Sequence, residues 1–90
     1  MIYIVSYDLC EPGQKYENLL DLIKSAPAWA RLGGSAYLVD SDESAVELRD
    51  KYKRALDSND KLFVGYVKAP AAWTGMPTEV SNWMKKHLED

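Results

Sequence analysis

MIYIVSYDLC, residues 1–10, is the stretch that decides the fold. β-Branched and aromatic residues alternate along it in two sets that point to opposite sides, as is typical of a strand. Both sets are largely apolar, so we expect a central strand covered on both faces, with a carboxylate at its tip. The two sets are Ile2, Ile4, Ser6 and Asp8, and Tyr3, Val5, Tyr7 and Leu9.

Length and composition indicate one small domain. The 90 residues are 47% apolar and 28% charged, as in an ordinary globular protein, and the net charge of −3 lacks the basic excess typical of general nucleic-acid affinity. Cys10 is the only cysteine, which excludes an intramolecular disulfide and a cysteine-based zinc site. We see neither a signal peptide nor an apolar run of about 20 residues, so we expect a cytoplasmic protein without a membrane partner.

Strand and helix patterns alternate along the rest of the chain. Gly33-Gly34 tolerates the backbone geometry of a hairpin turn and lacks the frame of a phosphate-binding loop, so no organic cofactor is indicated. Ser44 with Glu47 fits a capping box at the start of the second helix. The expected strands lie in residues 1–8, 28–32, 35–40 and 61–69. The first expected helix begins after Pro12-Gly13 and ends before Pro27, and the other two lie in residues 45–56 and 78–88.

The order β-α-β-β-α-β followed by a helix predicts an α+β domain of the ferredoxin-like, or split-βαβ, class. We expect one domain over residues 1–90, with a core in 1–69 and a C-terminal extension with a helix in 70–90. Its four-stranded antiparallel sheet would carry the first two helices on one face. Either the extension or a second subunit would cover the other face.

Asp8 is the one candidate for chemistry. A carboxylate at a strand tip can bind Mg²⁺ or Mn²⁺, or it can accept hydrogen bonds from the amides of residues 10–13 in the turn. Ser6 can assist on the same face or simply pack. Nothing in the sequence places Cys10 near His87, so we expect an inert thiol and a histidine at a helix end.

Aromatic residues suggest a contact surface. Ten aromatic side chains exceed what so small a core can enclose, and Tyr and Trp are favoured in interfaces. We therefore expect some of them in a subunit contact or a binding surface. The candidate interface residues are Tyr3, Tyr7, Trp29, Tyr37, Tyr66 and Trp73.

Several short stretches resemble a group of small phage and bacterial proteins described as "SinR-like". Tyr7-Asp8 at the end of a first strand, in a chain of this order, also resembles more distantly the smaller CRISPR spacer-adaptation protein and the VapD toxins. The distant resemblance implies a homodimer built through the sheets. The "SinR-like" stretches are residues 6–9 (SYDL), 12–13 (PG), 44–50 (SAVELRD), 56–60 (LDSND) and 72–73 (AW).

The distant families also imply a site. Some of their members are metal-dependent nucleases in which the strand-tip aspartates of two subunits face each other, and Asp8 is the one position that carries over. The arginines that often follow this aspartate in the adaptation family are absent, because the first arginine of this chain is Arg31. A phosphate-binding site without a guanidinium lacks its usual bidentate donor.

Three functions remain open. The first is a non-catalytic homodimeric module, phage- or defence-associated, that binds another macromolecule, either a protein or a nucleic acid. The second is a ribonuclease or deoxyribonuclease that uses Mg²⁺ or Mn²⁺ and Asp8 from each subunit. The third is an inhibitor whose acidic surface mimics nucleic acid. The abundant aromatics, the acidity and the missing arginines favour the first.

Overall fold

Strand β1 lies inside a four-stranded antiparallel sheet in the computed structural model of the chain, which describes residues 1–10 and 12–88, with the backbone alone for residues 12–15. Glu11 of the expected turn is outside the described residues. The elements are β1 (Ile2–Asp8), α1 (Pro12–Lys24), β2 (Ala28–Gly33), β3 (Ala36–Asp40), α2 (Ala45–Lys53), β4 (Lys61–Val67) and α3 (Thr78–Leu88).

The strand order β2-β3-β1-β4 consists of two interlocked split βαβ units. In one unit α1 connects β1 and β2, which lie on either side of β3. In the other α2 connects β3 and β4, which lie on either side of β1. This arrangement confirms the ferredoxin-like α+β class.

Residues of β1 are buried on both faces of the sheet, as the alternation predicts. Val5 is fully buried and pairs with Tyr37 of β3 and Val64 of β4. Ile2, which points to the opposite face from Val5, is also buried. The central position of β1 is therefore confirmed.

Helices α1 and α2 cover one face of the sheet, which we call the inner face. Their apolar residues recur every three or four positions, which places them on the side that meets the strands. Burial of this side supplies the larger of two hydrophobic clusters. Its buried members are Tyr3, Val5, Tyr7, Leu19, Ile23, Tyr37, Val39, Leu48, Tyr52 and Ala55.

The C-terminal extension covers part of the other face, which we call the outer face. Met84 and Leu88 of α3 are buried there against Ile2 and Leu38. Trp73 packs at the edge of this cluster, and its Nε1 donates a hydrogen bond to the Oγ of Ser81, 3.0 Å away. The sequence left open whether the C-terminal extension or a second subunit covers the outer face. Over this part of the sheet, the cover is the C-terminal extension.

The structure contains the hairpin turn and the helix cap that the sequence predicts. Gly33 and Gly34 have positive φ angles of 126° and 52°, which explains why glycine occupies both positions. Ser44 caps α2 and forms the expected capping box with Glu47. Strand β4 ends at Val67, two residues earlier than expected, before the turn that contains Pro70.

The acidic residues of α2 do not pair with basic residues one turn later along the helix. Glu47 accepts the backbone N–H of Ser44, so its carboxylate is engaged in the cap. Lys51 pairs instead with Glu43, and Asp50 pairs with the adjacent Arg49 rather than with a residue one turn later. Most charged side chains of α2 are exposed to solvent.

Among the described residues, no helix has both the length and the apolar character that crossing a bilayer requires.

Candidate functional site

Asp8 ends β1 as expected, with an exposed side chain on the outer face of the sheet. Its cross-strand neighbour on β4 is Lys61. No described residue donates a hydrogen bond to the Asp8 carboxylate. The expected role as an acceptor for the Cys10 amide is therefore wrong.

Asp60 takes that role instead, which sequence analysis did not anticipate. Its Oδ1 accepts the backbone N–H of Cys10 at 2.8 Å, and its Oδ2 accepts the N–H of Asp57, also at 2.8 Å. The polar turn 57–60 was recognisable as a place for such local bonds. The sequence does not show that this turn lies close to the end of β1, because that proximity depends on the pairing of β1 with β4. Asp8 is consequently left available to solvent.

One chain does not supply a metal site from its described residues. No three side chains of His, Cys, Asp or Glu converge within them. Mg²⁺ binds about six oxygens, and a single Asp8 carboxylate provides at most two of them. Arg31 is two strands away from β1 in the sheet. Metal binding by Asp8 therefore needs further oxygen ligands, from a second protein chain, a phosphate or water.

The outer face is open at the end nearest Asp8. Here Ser6 and Ala36 are half-buried, and the side chain of Phe63 is 63% exposed. The ring of Phe63 extends over Gly65, where an added Cβ would lie 2.7 Å from it. We call Ser6, Ala36 and Phe63 the open half-face. It is a surface of one large aromatic side chain beside small ones.

His87 and Cys10 lie at opposite ends of β1. The Nδ1 of His87 is 3.4 Å from the carboxylate of Asp40, beside the start of β1, and its ring stacks on Trp83 with centroids 4.1 Å apart. Cys10 follows the end of the same strand and is exposed. Cys10 and His87 therefore do not form a pair of nucleophile and base, and the sequence likewise shows no sign that they lie close together. His87 instead helps to hold α3 against the sheet.

Three of the six candidate interface residues are corrected by the structure. Tyr3, Tyr7 and Tyr37 are each at most 5% exposed, because α1 and α2 cover the face to which they point. They belong to the core of their own chain. Trp29 and Tyr66 remain exposed, so their place in an interface stays a prediction. The same holds for Trp73, which is half-buried.

A second group of polar side chains lies on the inner face, at the end of β1 next to the β2–β3 hairpin. Arg31 pairs with Tyr37 across these two strands, and the N–H of Tyr7 donates to the carbonyl of Ser35 at 3.0 Å. Tyr16 of α1 packs on Tyr7 with ring centroids 6.1 Å apart. We call Tyr7, Tyr16, Tyr37 and Arg31 the tyrosine–arginine cluster. Strand pairing assembles it, so sequence spacing alone did not indicate it.

Burial governs the chemistry of this cluster. It raises the pKa of Tyr7 well above the ordinary value, and the neighbouring Tyr16 raises that pKa further. Burial likewise raises the pKa of Tyr37. Both hydroxyls are thus neutral hydrogen-bond donors at physiological pH. The Tyr7 hydroxyl is buried and has no hydrogen-bond partner among the described residues.

Comparison with known proteins supports the fold. The chain is similar to a protein of known structure described as the hypothetical protein TT1823 from Thermus thermophilus, with 28% identity and a TM-score of 0.68. The similarity covers 83% of this chain and 90% of that one. No protein family matches the sequence, and no curated protein does either.

Proposed function

We propose that the protein is a homodimeric binding module in which two copies meet through the open half-face. The exposed Phe63 is the observation that carries this proposal. Burying a phenylalanine side chain contributes about 1.5–3 kcal/mol, and an isologous contact buries one from each copy. Ser6 and Ala36 are small enough to let a second sheet approach closely.

This dimer agrees with the resemblance described above. A two-fold axis that runs along the strands through the open half-face would bring the Asp8 residues of both copies to one rim of the interface. The exposed Trp29 and Tyr66 point away from it and would be available to a macromolecular partner. A place among the "SinR-like" proteins, and a phage or defence role, are part of the same proposal.

Light scattering at micromolar concentration tests the dimer. We expect two chains per particle for the unchanged protein and one for Phe63→Asp, because the new carboxylates would face each other in a dehydrated contact. Asn18→Asp is the control, since it introduces the same carboxylate at an exposed position of α1, on the inner side of the sheet and away from Phe63. A monomeric parent protein, or dissociation by the control alone, would contradict the proposed interface.

A metal-dependent nuclease is the second candidate, because Asp8 is exposed and accepts no hydrogen bond from the described residues. Two such carboxylates can share one divalent cation, which polarises a phosphate and activates water. Lys61, the neighbour of Asp8 on β4, can supply positive charge beside the phosphate.

Cleavage of labelled RNA and DNA in Mg²⁺ or Mn²⁺ tests the nuclease. Asp8→Asn is expected to reduce the rate by about a hundredfold or more, since it removes the metal ligand and its charge. Asp42→Asn, at an exposed position after β3, is the control and should leave the rate unchanged. If cleavage survives Asp8→Asn in a folded dimer, the active site lies elsewhere. If the parent protein does not cleave at all, the non-catalytic module stands alone.

A further inference from the structure

The tyrosine–arginine cluster contains donors without matching acceptors. Arg31 has five N–H donors, and its Nη2 lies 3.4 Å from the carbonyl of Gly34, a long contact within its own hairpin. No carboxylate of the described residues pairs with Arg31. The Tyr7 hydroxyl adds a buried donor, next to Tyr16, that makes no hydrogen bond of good geometry with a described residue. Water solvates the exposed Arg31, but buried polar groups are nearly always hydrogen-bonded, so the Tyr7 hydroxyl requires an explanation.

We propose that Arg31 and the hydroxyl of Tyr16 bind a phosphate group, either free or in a nucleic acid. Arg31 gives the cluster a formal charge of +1, which favours an anion. Arginine forms paired hydrogen bonds with phosphate oxygens, and hydroxyl donors complete the tetrahedral group. The site is separate from the open half-face, because it lies on the inner side of the sheet.

Bound phosphate would also satisfy the Tyr7 hydroxyl. A tyrosine hydroxyl donates one hydrogen bond and accepts others. When Tyr16 donates its proton to the phosphate, its oxygen is turned to accept from Tyr7 behind it. Each bond in such a chain polarises the next, which strengthens both. Tyr7 thus acts as a positioning residue that need not touch the ligand.

Ligands can reach the site from solvent. Arg31 is exposed and Tyr16 is half-buried, whereas Tyr7 lies beneath them. Positive charge continues along the same edge, since the Nζ of Lys24 lies 5.0 Å from the ring centre of Trp29. The 38% exposed Trp29 ring lies beside Tyr37, and an exposed aromatic ring next to a phosphate site suits a nucleotide base.

Titration calorimetry at constant ionic strength tests the site, with inorganic phosphate, a 5′-phosphorylated single-stranded DNA hexamer, and sodium chloride as the non-binding salt. We expect saturable binding of at least one of the two phosphate probes. Arg31→Gln should weaken it about tenfold or more, because it removes the charge-assisted bonds. Arg49→Gln, at an exposed arginine of α2 paired with Asp50, is the matched control and should leave affinity unchanged.

The two probes distinguish the sources of the phosphate. Binding of inorganic phosphate identifies a site for the free group, and binding of the hexamer alone identifies a nucleic-acid phosphate. Tyr16→Phe should weaken binding severalfold and Tyr7→Phe less, while both variants remain folded. Binding of neither probe, or equal loss in Arg31→Gln and Arg49→Gln, would overturn the proposal. The monomeric Phe63→Asp variant should still bind, which separates this test from that of the dimer.

Discussion

Replacing Val5 by aspartate should unfold the protein. The side chain is fully buried at the centre of β1, between strands on both sides and beneath the helices of the inner face. An unpaired carboxylate at such a position loses its hydration without gaining a cation, at a cost of several kcal/mol. Small domains have a total stability of about 5–15 kcal/mol, so the substitution removes most or all of it.

Circular dichroism and urea unfolding would measure this effect. Val46→Asp is the control, because it introduces the same charge in place of the same residue at a position that is 57% exposed. It should change the free energy of unfolding by about 0.5 kcal/mol or less. A Val5→Asp protein with the cooperative unfolding of the parent would show that β1 is not the buried centre of the sheet.

Met84→Ala should produce the second largest effect. Met84 is 3% exposed and lies in the cluster that joins α3 to the outer face. Truncation leaves a cavity between Ile2 and Leu38 and the helix, and comparable substitutions lower the free energy of unfolding by about 2–5 kcal/mol. Hydrogen exchange should also become faster along α3 than along α1, because α3 is attached through this smaller cluster.

Lys85→Ala provides the comparison for this prediction. Lys85 is the next residue along α3 and is exposed, so its truncation should leave stability nearly unchanged. If the two variants unfold at the same urea concentration, α3 does not depend on Met84 for its attachment. Residues other than Met84 would then have to attach α3 to the outer face of the sheet.

Periodicity predicted most of the fold because the strongest patterns lie in the most buried elements. The alternation in β1 and the helical spacing of Leu19 and Ile23 both reflect faces that must be buried. The capping box of α2 was equally recognisable, since Ser44 and Glu47 meet within one turn. Such features depend on residues that are close together in the sequence, so the sequence alone is sufficient to predict them.

Non-local pairing explains what the sequence did not predict. The number of aromatic residues predicts that some of them lie in an interface, but alternation does not show which face the helices cover, and this face contains Tyr3, Tyr7 and Tyr37. The bond from Cys10 to Asp60 joins residues that only the pairing of β1 with β4 brings together. The pattern of β1 therefore predicts the place of Asp8 on its strand correctly but does not identify its neighbours.

A crystal structure grown with Mn²⁺ tests the proposed dimer most directly. We expect two copies stacked through their open half-faces, with Phe63 buried and the two Asp8 carboxylates about 4–8 Å apart, close enough to share a cation directly or through water. Two Phe63 side chains left in solvent, with the Asp8 residues on remote sides of the assembly, would contradict it.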